Sequence, residues 1–187
     1  MLRIGETIPD LEAEAFRNEK TNTLKLNDYR GKWLVLLFYP ADFTFVCPTE
    51  LTEAARAYPE FQEEGAEILS VSTDTVFVHA AWHKESPSIK AIQYPMVADP
   101  SGARCRAFGT YLEGERVSLR ATFIIDPDGK LVSMELHDNS IGRSTSEILR
   151  KLRAARYVRE HKGGVCPASW KPGEKTIKPG LDLVGKL

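Results

Sequence analysis

Cysteine is scarce in this chain, and so is any long apolar run. The 187 residues hold three cysteines, at positions 47, 105 and 166, and no Cys-x-x-Cys pair. Three thiols do not make a disulfide framework, and the missing close pair disfavours both a zinc ribbon and an ordinary dithiol redox centre. The longest apolar run, Trp33 to Tyr39, is far too short to cross a bilayer. The opening residues, Met1-Leu2-Arg3-Ile4-Gly5-Glu6, contain no apolar signal core. These absences predict a cytoplasmic protein in which any disulfide is transient and catalytic. Net charge is nearly absent too. Against 26 Asp and Glu stand 25 Lys and Arg, a formal balance of −1, so no overall field draws the chain to nucleic acid or a membrane. Local basic runs such as Arg150-Lys151-Leu152-Arg153 read as solvated helix faces.

What is present is the composition of a soluble globular protein, 42% hydrophobic and 27% charged, on a chain long enough for one sizeable core. Trp33 to Tyr39 is unbroken in its apolarity, the pattern of a strand buried on both faces. After Pro48, the residues Leu51, Ala55, Tyr58 and Phe61 follow a helical period. Pro59 should kink that helix and Gly65 should stop it. Glu67 to Thr73 reads as the next strand, completing a βαβ unit, and Val76 to Glu85 as a helix ended before Pro87. Ala121 to Ile125 and Lys130 to Leu136 flank Asp126-Pro127-Asp128-Gly129. That tetrad suits a type I turn, so the two segments form a hairpin. Ser144 caps a helix running to about Glu160, with Ile148, Leu149, Leu152 and Ala155 facing inward. This order predicts a thioredoxin-like α/β domain over residues 1–160. Residues 161–187, broken by proline and glycine, read as an extended arm that carries Cys166.

Cys47 is the residue with the most chemistry in its surroundings. A buried strand ends shortly before it and a helix begins at it. Helix N-termini present unpaired N–H groups and a partial positive charge, which favour thiolate over thiol. Pro48 fits the first helical position, and Glu50 could reach back to the backbone N–H of Cys47. The plainer reading, a small core residue, fits Cys105 in the helical-looking piece Ala103 to Phe108 better than it fits Cys47. His79 and His83, four apart on one helix, form a candidate metal pair, but no third ligand is evident.

Pro40-x-x-x-Thr44-x-x-Cys47, within Phe-Tyr-Pro-Ala-Asp-Phe-Thr-Phe-Val-Cys-Pro-Thr-Glu-Leu, resembles the active-site signature of the two-cysteine peroxiredoxins. Gly163-Gly164-Val165-Cys166-Pro167 resembles the resolving-cysteine segment of that branch. The terminus Leu181-Asp182-Leu183-Val184-Gly185-Lys186-Leu187 is similar to the bacterial alkyl hydroperoxide reductase C type. The resemblance implies a thioredoxin-like fold with peroxiredoxin additions and a C-terminal arm. It also implies reduction of hydrogen peroxide and small organic hydroperoxides, with no metal or bound cofactor. Cys47 would become a sulfenic acid and Cys166 would resolve it to a disulfide. The residues alone leave open whether Cys166 belongs to the same chain. The resemblance implies the partner chain of a homodimer, five dimers forming a decameric ring, with a flavoprotein disulfide reductase or thioredoxin as electron donor.

Activation of the thiol alone does not explain fast chemistry. A thiol of pKa ~8.5 is about 3% ionised at pH 7. Full ionisation gains about thirtyfold, and the lower basicity of such a thiolate takes back roughly tenfold for a Brønsted slope of ~0.45. Positioning and polarisation of the O–O bond must supply the rest. The resemblance implies the residues that do so. Thr44 would reach thiolate and peroxide, its plainer reading being a helix-entry cap. Arg120 would stabilise thiolate and departing oxygen, and Pro40 would shield the site. Glu50 and Arg143 would hold Arg120, and Trp82 would line the pocket unless it is plain core. Two other classes remain as rivals, a thioredoxin-like disulfide reductase and a holdase chaperone, the latter able to work without Cys47. The sequence lacks a Gly-Gly-Leu-Gly segment, reading Tyr111 to Leu119 in that region, and has no terminal Tyr-Phe helix. Both absences predict resistance to overoxidation.

Overall fold

The computed structural model describes residues 2–186, which form two compact units, one up to Thr145 and one from Ser146 onward. The first unit is a seven-stranded mixed sheet flanked by helices. Its elements in chain order are β1 (Glu12–Arg17), β2 (Lys20–Lys25), β3 (Trp33–Phe38), α1 (Cys47–Glu63), β4 (Ala66–Ser72), α2 (Val76–Glu85), β5 (Met96–Ala98), α3 (Ala103–Phe108), β6 (Tyr111–Leu112), β7 (Val117–Ser118), β8 (Arg120–Ile125) and β9 (Leu131–His137). The sheet runs β2-β1-β5-β4-β3-β8-β9, and β6 with β7 makes a separate two-stranded ribbon.

The central strands follow from their sequences. All six residues of β3 are buried, as an apolar run without alternation requires. β4 pairs with it in parallel through the α1 crossover, and β8 pairs with its other edge antiparallel. Phe38, Phe108 and Phe123 meet over this centre with ring centroids 5.0–5.4 Å apart, in tilted and edge-on geometries. Burying each such ring is worth about 2–3 kcal/mol. Gly129 N–H donates to the Asp126 carbonyl at 2.8 Å, closing the predicted turn between β8 and β9.

Pro59 sits inside α1 on its exposed side, and the helix continues to Glu63, just short of Gly65. Two details differ from expectation. The buried stripe of α1 is Leu51, Ala54, Tyr58 and Phe61, with Ala54 taking the inward place expected of Ala55. The hairpin β1–β2 went unpredicted, although Glu12-Ala13-Glu14-Ala15 alternates exposed and buried residues. Asn18 and Glu19 form its two-residue turn, both with positive φ, as a twisted hairpin demands.

The second unit comprises most of α4 (Thr145–Glu160) and the arm beyond it. Ile148, Leu149 and Leu152 are buried, as the helical period predicts. The arm closes on itself through paired backbone bonds between Val165 and Ile177. Trp170 is 2% exposed, packs on Tyr157 at 5.0 Å and donates its indole N–H to the Glu174 carbonyl.

Candidate active site

The register of two strands builds the site. Phe38, the last residue of β3, lies opposite Ala121, the second residue of β8. Because the strands are antiparallel, the end that leads toward Cys47 meets the start that carries Arg120. Arg120 Nη1 therefore comes 3.2 Å from Cys47 Sγ, although 73 residues separate them in sequence. Cys47 has no exposed surface.

Cys47 is the first residue of α1 rather than its cap. Val46 occupies the cap position without a side-chain bond, and Pro48 follows inside the first turn. The expected reach of Glu50 back to Cys47 does not occur, because two arginines compete for it and win. Glu50 Oε2 accepts from Arg120 Nη1 at 2.6 Å and from Arg143 Nη2 at 3.0 Å. Its Oε1 accepts from the backbone N–H and Nε of Arg143, both at 2.9 Å. A charge-assisted bond to a buried guanidinium is worth more than a neutral backbone cap. Arg143 Nη1 also donates to the carbonyls of Phe38 and Ala121, both at 2.9 Å, tying the strand ends to the ion cluster. Asn139 was not foreseen. Its side-chain oxygen accepts from the Arg120 backbone and its carbonyl from Arg120 Nε, at 3.0 and 2.9 Å, which aims the guanidinium.

The other expected residues fall around this cluster unevenly. Thr44 Oγ1 donates to the Ala41 carbonyl at 2.8 Å, so its proton closes a local turn instead of pointing at the sulfur. Only its lone pairs remain to receive a donor. Pro40 is half-buried in the same loop. Trp82 is 3% exposed and joins Tyr39 and Phe43 in an aromatic group, so it is core and loop support together. His79 is bonded to Asp42, and His83 packs edge-on against Phe16. Among the described residues no group of three or more His, Cys, Asp or Glu could hold a metal. Cys105 is fully buried, and burial together with nearby Asp99 pushes its thiol up to about 12, which makes it inert. Cys166, in the second unit, is partly exposed. Burial pushes its thiol up, and the charge of Arg150 opposes that rise.

Burial pushes the Glu50 carboxyl up, but the hydrogen bonds and charge of Arg143, and then the charge of Arg120, outweigh it and set it below its ordinary value. A depressed carboxylate contributes stability that is present above its unfolded pKa, ~4.3, and lost as pH falls through the folded value. The cluster should therefore hold at pH 5 and weaken only as pH falls below that unfolded value. Glu50→Gln leaves two buried cations short of an anion, a loss of about 3 kcal/mol. Its melting temperature should fall by about 6–12 °C. Its stability should also vary less with pH between 5 and 3 than that of the wild type, which acid unfolding followed by circular dichroism will read. Parallel wild-type and variant acid profiles would show that Glu50 is not the titrating anchor.

The AhpC/TSA family model matches residues 4–134, and the C-terminal domain of 1-Cys peroxiredoxin matches residues 154–185, a stretch that here includes Cys166. Alkyl hydroperoxide reductase C of Salmonella typhimurium is 48% identical over 187 residues, and that of Pseudomonas aeruginosa 46%, each covering 100% of both chains. The crystal structure of Enterococcus faecalis AhpC superposes with a TM-score of 0.87 at 42% identity, over 89% of this chain and 100% of that one. Plasmodium vivax 2-Cys peroxiredoxin, reduced, gives 0.91 at 33% identity, over 96% and 94%. With a buried cysteine opening α1 and an arginine on its sulfur, a chain so matched from end to end belongs to the AhpC/TSA family of peroxiredoxins.

Proposed function

We propose that the protein is a thiol peroxidase that reduces hydrogen peroxide and small organic hydroperoxides through Cys47. The observation that carries this reading is the buried Cys47 sulfur at the start of α1 with Arg120 Nη1 at 3.2 Å. The thiolate attacks the terminal oxygen of the hydroperoxide and the O–O bond breaks. The sulfur is oxidised to sulfenic acid, and the departing alkoxide or hydroxide takes a proton and leaves as alcohol or water. Arg120 faces the developing charge, and Thr44 and Pro40 shape the space beside it. Glu50 and Arg143 hold Arg120 in place.

Cys166 then attacks the sulfenic sulfur, expelling water and forming a disulfide. A flavoprotein disulfide reductase or thioredoxin supplies two electrons and two protons to restore both thiols. Phe43, Phe45 and Phe77 expose large apolar surface, 56%, 94% and 80% of their maxima. Apolar exposure of this kind supports burial against a further surface. A second copy of the chain would supply it, in a homodimer that extends to a decameric ring and whose disulfide joins partner chains. No helix among the described residues is long and apolar enough to cross a membrane. That accords with a cytoplasmic enzyme.

The direct test is peroxide consumption with each candidate reductant. Cys166→Ser separates the half-reactions. It should reduce about one equivalent of peroxide, since Cys47 chemistry precedes resolution, and then stall as sulfenic acid. Non-reducing gels should lose the Cys47-linked dimer band. A retained band would make Cys105 the resolver, against the inertness that its burial imposes.

A further inference from the structure

Asp42 lies in the loop between β3 and α1, and no step above uses it. Its side chain is buried and reached from two sides. Tyr39 Oη donates to Oδ1 at 2.6 Å, and His79 Nδ1 lies 2.7 Å from Oδ2. The Asp42 backbone N–H donates to Asp74 Oδ2 at 2.8 Å, an oxygen that also accepts from Ser72 Oγ at 2.7 Å. Facing a carboxylate oxygen, Nδ1 of His79 is the ring nitrogen placed to donate. His79 Nε2 is buried with no hydrogen-bond partner among the described residues.

The next residue, Phe43, has φ of 55°, in the left-handed region that bulky side chains avoid. Its ring packs on Trp82 of α2 at 5.9 Å, beside Tyr39 on the same indole at 6.4 Å. Helix α2 thus grips the loop twice, through His79 on Asp42 and through Trp82 on Phe43. A strained turn persists only where its surroundings over-determine it. Between Asp42 and Cys47 stand only Phe43, Thr44, Phe45 and Val46.

Because Cys47 has no exposed surface, a resolving thiol, far bulkier than a peroxide, reaches it only through local opening of this segment. We propose that Asp42 and His79 are a positioning pair for peroxide reduction. His79, anchored on α2, holds Asp42 and so returns Thr44 and the first turn of α1 to one geometry after each opening. The inference rests on the peroxidase reading above. It predicts a loss in the attack step alone. Ionisation of Cys47 should be spared, since Arg120 and Glu50 make no bond to the pair.

The test compares His79→Leu, His79→Asn and His79→Gln. Reduced protein is mixed rapidly with hydrogen peroxide at a pH where the thiolate absorbance of each variant has reached its plateau. His79→Leu should oxidise Cys47 about tenfold more slowly. The asparagine amide nitrogen falls where Nδ1 was, so His79→Asn should run close to the wild-type rate. The glutamine amide reaches the Nε2 position instead, so His79→Gln should be as slow as leucine. Thiolate titration curves should overlay for all four proteins. A leucine variant at the wild-type rate, or an asparagine variant no faster than glutamine, would overturn the proposal. If the leucine variant does not fold, the asparagine–glutamine comparison decides alone. A wild type whose Cys47 peroxide does not oxidise would overturn the peroxidase reading itself, whereas an active wild type indifferent to His79 overturns only the positioning pair.

Discussion

Replacing Cys47 by serine will leave a folded protein with no peroxide turnover. The position is fully buried, and serine is the smaller residue, so packing loses little. Its hydroxyl can still accept from Arg120, and the cluster of Arg120, Glu50 and Arg143 keeps every bond that does not involve sulfur. What disappears is the nucleophile. An alcohol does not ionise near neutral pH in the way a thiol can, and peroxide reduction needs an atom that takes up oxygen and then exchanges it for a second sulfur. Peroxide consumption in the presence of a competent reductant should fall to the background rate, with the circular dichroism spectrum unchanged. Substantial residual turnover would mean that Cys47 is not the reacting group. Retained suppression of client aggregation by the same variant would be a separate activity and would not rescue the peroxidase assignment.

Much of this site could be read from short stretches of sequence because short-range physics sets it. The unbroken apolarity of Trp33 to Phe38 forces a central strand, and Asp126-Pro127-Asp128-Gly129 forces the turn that pairs β8 with β9. Cys47 at a helix start needs only its neighbours. The errors arose where distant partners decide. Read from its near neighbours, Glu50 was expected to cap its own helix, whereas its partners lie 70 and 93 residues away and were named only through the family resemblance. Arg120 by itself is an arginine at a strand end. Its approach to sulfur depends on the pairing of Phe38 with Ala121, which residue pattern alone does not specify. Asn139 carries no pattern in its loop, and nothing in the sequence links Asp42 to His79, which the residue spacing offers only as half of a candidate metal pair. The β1–β2 hairpin had a usable signal in its alternation and in Asn18, a residue that tolerates positive φ.

Arg120→Ala should slow peroxide attack at neutral pH by about 10²–10³-fold, the cost of removing one donor aimed at developing charge. Two effects contribute, and their sizes separate them. The guanidinium 3.2 Å from the sulfur favours thiolate, so its loss lowers the ionised fraction. That effect has a ceiling. An ordinary thiol of ~8.5 is about 3% ionised at pH 7, so any change in ionisation accounts for at most about thirtyfold. The more basic thiolate is also the better nucleophile, which trims the ceiling further. Any slowing beyond it is lost stabilisation of the charge that moves onto the departing oxygen. The measurement is the second-order rate of Cys47 oxidation at a pH where thiolate absorbance has reached its plateau in both proteins. A deficit there of about tenfold or more assigns Arg120 a role in the transition state. Equal rates there would confine it to ionisation. Glu50 keeps all its bonds to Arg143 in this variant, so the fold should survive, and a melting curve will verify that. Arg120→Lys sharpens the result. It retains a cation, but a single ammonium lacks the rigid fork that meets Cys47 Sγ, Glu50 Oε2 and the Asn139 carbonyl together. Lysine should therefore recover much of the ionisation and little of the plateau rate.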